Sequence, residues 1–240
     1  MLDAVQRTGR RLLAFDRRLG ARWVAGTDEA GRGCLAGPLV TAGVLFDYDR
    51  VRGHVTAWLG TLNDSKQLQL AEREWLYRVV LMLATRVNVQ IVPSLEIDRS
   101  GLHRSNLDGL RRCLSALTPP AEICLVDGFK LGPQAPEHTA VVDGDQKSAA
   151  IAAASIVAKV TRDRLMRRFD ALYPGFGFAS HVGYITPRHA DAVRALGPSR
   201  LHRMSFQARC YVSDSVESGA LAHDERSRGY PRQSAVLAAK

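Results

Sequence analysis

Little in this sequence would staple it, anchor it in a membrane or mark it for a familiar cofactor. Its four cysteines, Cys34, Cys113, Cys124 and Cys210, are scattered, with no C-x-x-C pair and no Cys/His cluster of zinc spacing. That excludes a disulfide framework and a zinc module, and fits a reducing compartment. Cys124, in an apolar run, reads as a small core residue. No stretch approaches the roughly twenty apolar residues of a membrane span, and the N-terminus lacks the apolar core of a secretion signal. A G-x-x-x-x-G-K-[ST] motif is missing, so a P-loop is excluded, and there is no internal repeat. Acids are also scarce: 24 Asp and Glu stand against 33 Lys and Arg in 240 residues, a formal charge of +9. What remains is a soluble, cytoplasmic protein with one generous core.

The basic excess is local. Residues 155–209 hold ten Lys and Arg against Asp163, Asp170 and Asp191. A surplus of that size suits a polyanion, whose phosphates release counterions when neutralised. Residues 1–20, with Arg7, Arg10, Arg11, Arg17 and Arg18, read as a basic, amphipathic N-terminal extension. Residues 214–240, poor in large apolar side chains, read as a disordered tail.

Between these ends, strands and helices alternate, which makes the class α/β. Strands are predicted from Trp23 to the Asp28-Glu29 pair, over Leu39–Phe46, around Val51–Leu59, and over Arg86–Val92, Ile123–Val126 and Thr139–Val142. Helices are predicted over Ala71–Leu83, Leu102–Leu117, Ala149–Leu172 and Ile185–Leu196, with a last structured piece over Ser205–Val212. In the longest helix, Ile151, Ala154, Ala158, Leu165, Phe169 and Leu172 mark one buried stripe. Its alanine-rich front has so little bulk that its backbone can lie close against a sheet.

Acids recur where strands stop. Asp28 and Glu29 run into Ala30-Gly31-Arg32-Gly33, Asp127 closes a second strand, and Asp145 follows a third. Ionised acids at a strand end can offer oxygen ligands to a hard cation, while glycines and Arg32 suit an anion beside it. Gly31, Gly33 and Gly37 loosely imitate a dinucleotide fingerprint. The third glycine is one residue late, though, and two acids stand where the pyrophosphate would sit. Any one of these aspartates is more often a turn residue, as Asp127-Gly128 and Asp143-Gly144 suggest. Their repeated placement carries the weight, because ligands of open α/β sheets gather beyond strand carboxyl ends. Four convergent carboxylates would repel one another unless cations sat between them, which is the logic of a two-metal site with ions about 3.5–4 Å apart.

Gly26-Thr-Asp28-Glu29-Ala-Gly-Arg-Gly33, Asn63-Asp-Ser-Lys66, Val126-Asp-Gly128 and Gly144-Asp145 form a series with Ile151-Ala-Ala-Ala-Ser-Ile-Val-Ala-Lys-Val-Thr-Arg-Asp163. Gly183-Tyr-Ile-Thr186 and His202-Arg-Met-Ser-Phe206 extend it. Together these blocks resemble ribonuclease HII, the type 2 ribonuclease H family, in unbroken order from Val24 to Arg209. The resemblance implies a ribonuclease H-like mixed five-stranded sheet with flanking helices and a C-terminal helical extension. The catalytic domain would span 21–213, with 186–213 its helical part.

The resemblance further implies a metal-dependent endoribonuclease that uses two divalent ions, Mg²⁺ or Mn²⁺. It would hydrolyse RNA in RNA–DNA hybrids and cut 5′ of single ribonucleotides in duplex DNA, leaving 3′-hydroxyl and 5′-phosphate ends. Such a monomeric enzyme would serve ribonucleotide removal in DNA replication and repair. Carried over by position, Asp28, Glu29, Asp127 and Asp145 are the catalytic, metal-binding acids. Asp145 is preferred to Asp143 because the block places the acid immediately after glycine. Gly31, Arg32, Gly33 and Tyr184 would contact the ribose, and Ser65 and Lys66 the phosphates. Val182 and Gly101 depart from a customary lysine and asparagine. Lys159, Arg162 and Asp163 read as an ion-paired group on the long helix, and His181 and His202 as structural. Two other functions share many of these features: a non-catalytic hybrid- or DNA-binding protein, and a ribonuclease H-like DNA nuclease.

Overall fold

The computed structural model describes residues 2–52 and 69–211. Most of the strand predicted near Val51–Leu59 and the Asn63–Lys66 cluster, with Ser65 and Lys66, lie outside the described residues, as does the chain beyond Tyr211. The sheet is five-stranded and mixed, in the order β3-β2-β1-β4-β5. Its central strand β1 (Trp23–Ala30) runs antiparallel to β2 (Leu39–Asp47), which pairs antiparallel with β3 (Arg86–Val92). On its other side β1 runs parallel to β4 (Ile123–Asp127), and β4 parallel to β5 (Thr139–Val141). β1 continues one residue beyond the acid pair, so Asp28 and Glu29 are sheet residues, opposite Ala42 and Thr41.

Helices cover both faces. On one lie α1 (Leu2–Arg17), α2 (Leu70–Leu83) and the long α5 (Ala149–Leu172); on the other lies α4 (Leu102–Ser115). Successive strand residues face opposite ways. Val24 joins the core with α5, while Ala25 joins Leu110 and Leu114 of α4. A Cβ on Gly26 would overlap the backbone of Ala150 and Ile151, so only glycine lets α5 settle this close. By the same alternation Asp28 faces α5 and Glu29 faces α4.

The stripe expected along α5 is only part of its burial. Residues 149–158 are buried all round, because β1 and β2 press on one side and α1 and α2 on the other. The far end leaves the sheet and packs through Met166 and Phe169 onto the C-terminal segment. Leu172, predicted to be buried, is therefore 70% exposed.

Two short helices escape periodicity, being about one turn or two: α3 (Ser94–Ser100) before α4, and α6 (Phe178–His181) before α7 (Pro187–Leu196). The last structured piece is two short 3₁₀ turns, Met204–Phe206 and Arg209–Tyr211. All four cysteines are free and buried.

The basic N-terminal helix contributes to the core. Leu12 and Leu13 of α1 pack in the α5 layer, and Asp16 is wholly buried. Tyr48 Oη donates to Asp16 Oδ2 at 2.5 Å and the Ala150 N–H donates to the same oxygen at 2.9 Å. Burial nevertheless pushes the Asp16 carboxyl up from 3.8 to about 6. The folded protein thus holds this proton more tightly than the unfolded chain does. The stability it contributes is whole below 3.8 and is lost as pH rises through about 6. Asp16→Asn keeps an acceptor for both bonds and removes the charge. It should raise unfolding stability by on the order of 3 kcal/mol at about pH 7.5, and by under about 1 kcal/mol near pH 4. Denaturant titrations of both proteins at the two pH values test this; an equal difference at both would rule out the carboxyl as the cause.

Candidate active site

Where β1 and β4 end, a cleft of about 550 Å³ opens between the loop after β1, the end of β4 and the α5 face. Asp28, Glu29 and Asp127 all line it. The Glu29 N–H donates to Asp28 Oδ1 at 2.7 Å, and Ser155 of α5 is a further partner of that carboxylate. Burial, then repulsion from Glu29 and Asp127, holds the Asp28 carboxyl well above the usual range. Burial also raises Glu29 to about 7, with Arg32 pulling down and Asp127 pushing up. Arg32 Nη1 lies 3.5 Å from Glu29 Oε1, while Glu29 Oε2 is buried with no hydrogen-bond partner among the described residues.

Asp127 Oδ1 accepts the Gly144 N–H at 2.6 Å, which ties the end of β4 to the turn Gly144–Gln146. That turn carries Asp145, which is buried (4% exposed) and does not line the cleft; Asp143, at a left-handed φ of 51°, does. Three of the four expected acids thus share the cleft with Asp143. Among the described residues, no three Asp, Glu, His or Cys side chains close into a ready-made metal site. Buried acids that repel one another, with one oxygen unpartnered, are the donor set a hard divalent cation would satisfy.

The glycine loop beside them is held from below by two buried arginines. Arg162 of α5 donates to the carbonyls of Pro38 (Nε, 2.9 Å), Ala36 (Nη2, 3.0 Å) and Val182 (Nη1, 2.8 Å). Arg203 donates to Gly37 (Nε 3.1 Å, Nη2 2.9 Å) and Arg32 (Nη1, 3.0 Å). Burial and the neighbouring Arg162 push Arg203 down to about 10, so it remains a cation at neutral pH. The ion-paired group expected on α5 is only partly that: Lys159 and Asp163 pair at 2.8 Å, but Arg162 spends its donors on backbone carbonyls.

Tyr184 lines the cleft and is 45% exposed. Burial and nearby Cys34 raise its hydroxyl above the ordinary value, so it stays protonated. Behind it stand three histidines. His181 accepts the Gly183 N–H at Nδ1 (3.1 Å) and has Phe176 O at Nε2 (2.8 Å). The Ser199 N–H donates to His202 Nδ1, leaving the His202 Nε2 proton for His189 Nε2 (3.1 Å) and the His189 Nδ1 proton for Tyr184 O (2.9 Å). Burial keeps His202 down at about 4 and lowers His189 as well, so the pair is neutral and its hydrogen bonds are structural. Sequence reasoning overlooked His189, Ser155, Asn106, Arg203 and Phe129, whose ring lies 4.7 Å from the Arg32 guanidinium carbon. Arg203 sits inside a quoted block, but nothing in its type announces burial.

The model of the family Ribonuclease HII matches residues 25–209. The chain belongs to the ribonuclease HII family. Its similarity to the Ribonuclease HII of Salinispora tropica is 44% identity over 220 residues, covering 90% of this chain and 78% of that one. Among solved structures it resembles the ribonuclease H2 of Pyrococcus horikoshii OT3 (TM-score 0.66, 26% identity, covering 79% of this chain and 95% of that one). It also resembles the RNase HII of Archaeoglobus fulgidus, solved with PCNA (TM-score 0.65, 30% identity, covering 78% and 96%). The chain is accordingly a ribonuclease H-type hydrolase, an endonuclease, on the ribonuclease H fold expected from the motifs. Among the described residues, no helix is long and apolar enough to cross a membrane.

Two glycines of the loop make opposite demands. At Gly31 (φ 94°) a Cβ would overlap the Arg162 guanidinium, whereas at Gly33 it would meet nothing within 4 Å. Gly31→Ala should therefore cost about 2–5 kcal/mol of stability, through backbone strain and displaced packing. Gly33→Ala should cost under about 0.5 kcal/mol. Denaturant unfolding of both variants checks the pair, and equal losses would show that Arg162 does not constrain the loop.

Proposed function

We propose that this ribonuclease HII family member is a metal-dependent endoribonuclease that hydrolyses RNA in RNA–DNA hybrids and cuts 5′ of single ribonucleotides in duplex DNA. The observation that carries this reading is the meeting of Asp28, Glu29 and Asp127 in one cleft with the Gly31–Gly33 loop and Tyr184. In it, Asp28, Glu29 and Asp127, with Asp145 from the adjoining turn that Asp127 holds against β4, would hold two divalent ions, Mg²⁺ or Mn²⁺. Such ions, when bound, supply charge neutralisation at the phosphorus oxygens and activation of the attacking water.

The chain's own groups do the positioning. Arg32 and Lys159, both lining the cleft, offset phosphate charge, and Ser65 and Lys66, outside the described residues, are assigned the flanking phosphates. The open space at Gly33 admits a sugar close to the backbone. Tyr184 offers its protonated hydroxyl to the ribose 2′-hydroxyl, the group that separates RNA from DNA at one position. Water attacks phosphorus in line, and the bond to the upstream 3′-oxygen breaks. The products are a 3′-hydroxyl and a 5′-phosphate. The leaving oxygen belongs to the upstream nucleotide, so the 2′-hydroxyl acts as the recognition mark and not as the nucleophile. The substrate in the cell is then misincorporated ribonucleotide, and the setting is DNA replication and repair.

The test is incision of three duplexes, one with a single ribonucleotide, one hybrid and one all DNA, with Mg²⁺, with Mn²⁺ and with a chelator. Cleavage is expected 5′ of the ribonucleotide, only with metal and not on all-DNA duplex. Asp28→Asn or Asp127→Asn should lower turnover at least about a hundredfold without loss of stability. Tyr184→Ala should weaken discrimination for the ribose more than it lowers the melting temperature. Binding without metal-dependent incision would make this a hybrid-binding protein, and equal cutting of all-DNA duplex a DNA nuclease.

A further inference from the structure

On the α4 side of β1, buried polar atoms stand opposite one another without partners. Asn106 of α4 is fully buried, and neither its Oδ1 nor its Nδ2 makes a hydrogen bond of good geometry among the described residues, although its amide lies near enough to Glu29 to act on that carboxylate. Facing it from β1, Glu29 Oε2 and Thr27 Oγ1 are in the same condition. An amide with two donor protons and a strong acceptor is costly to leave unpaired in a core. A leucine or methionine would fill the place without that cost, so the amide calls for a use. The neighbouring group with an unmet need is Glu29. One of its oxygens looks to the cleft beside Arg32, and the other is buried on the Asn106 side. The amide is the neutral side chain set against that carboxylate, a donor that adds no charge.

We propose that Asn106 is a positioning residue for Glu29: its Nδ2–H group donates to Glu29 Oε2, directly or through one buried water. That bond fixes which carboxylate oxygen is presented to the cleft. Such a water needs two to four polar partners, and Thr27, two residues before Glu29 on the same face of β1, adds a further buried hydroxyl to that side. The role rests on the reading of Glu29 as a cation ligand and follows a general pattern in which an outer hydrogen bond orients a ligating carboxylate. An aspartate at 106 would add a like charge beside Glu29, and an apolar residue would leave Oε2 free to swing.

The experiment compares Asn106→Leu, Asn106→Thr and Glu29→Gln with the wild-type chain. The three readouts are melting temperature without metal, Mn²⁺ binding by calorimetry, and kcat and KM on a single-ribonucleotide duplex. Asn106→Leu should melt no lower than wild type, yet bind Mn²⁺ and turn over about tenfold to a hundredfold more weakly, with KM for the duplex unchanged. Asn106→Thr, which keeps a hydroxyl donor, should recover part of both losses. If leucine is not accommodated, Asn106→Ala removes the donor with room to spare and is read in the same way. A normal kcat and normal Mn²⁺ binding in Asn106→Leu or Asn106→Ala overturn the proposal. So does a loss of activity that only follows a lowered melting temperature. If Glu29→Gln abolishes Mn²⁺ binding while the Asn106 variants behave as wild type, only the positioning role falls. If Glu29→Gln itself binds and cleaves normally, the metal-site reading falls first.

Discussion

The backbone of α5 rests directly on β1, at a place where any side chain on Gly26 would collide with Ala150 and Ile151. The alanines of 149–154 make this approach possible, and Ser148, whose Oγ accepts the Ile151 N–H at 3.3 Å, starts the helix in the right place. Once that contact is set, the register of α5 along β1 is set too. Gly26 and Asp28 are two residues apart on one face of the strand. Ser155, Lys159 and Arg162 follow at steps of four and three along one face of the helix. A single close contact therefore decides that Ser155 meets Asp28, that Lys159 stands 5.9 Å from the Tyr184 ring, and that Arg162 reaches the loop carbonyls.

Charge in the site is arranged in two layers that do not neutralise each other. In the cleft Arg32 stands 3.5 Å from Glu29, while beneath the loop no carboxylate among the described residues pairs with Arg162 or Arg203. Carbonyl dipoles satisfy those guanidinium groups, so their donors are filled while their charge stays uncompensated. Buried charges are normally paired because desolvation is costly. Here backbone carbonyl dipoles stand in for the missing carboxylates, and the acids of the cleft stay free of these two arginines. Had Arg162 bonded Asp28, one layer would have cancelled the other.

How far the sequence could be read depended on whether a residue's type matched its surroundings. Ala149–Leu172 was legible to the residue because alanine and aliphatic spacing say helix and core together. The strands around the acids were legible to within about a residue, and the family motifs led to the mixed five-stranded sheet. Arg162 and Arg203 were illegible as loop supports because charge ordinarily reads as surface, and only coordinates show which carbonyls surround them. The Arg-rich start of the chain read as an extension, yet Leu12, Leu13 and Asp16 lie in the core. Order along the chain could not say which of Asp143 and Asp145 would reach the cleft. Asp143, at its left-handed turn, lines the cleft, and Asp145, two residues on, is buried in the turn that Asp127 holds.

The corner that carries Tyr184 shows the cost of such placement. Val182 is β-branched and sits at a φ of 44°, a conformation such residues rarely adopt. Strain of this kind persists only where the surroundings over-determine it. At this corner each residue is claimed by a different element. Arg162 of α5 takes the Val182 carbonyl, His181 Nδ1 takes the Gly183 N–H, and the Ala36 N–H takes the Gly183 carbonyl at 3.2 Å. His189 of α7 takes the carbonyl of Tyr184 itself. The tyrosine is thus delivered to the cleft by the strand loop, the long helix and the C-terminal segment together. That agreement fixes where the ring and its hydroxyl stand in the cleft, because a corner held by one element alone would leave the side chain free to turn.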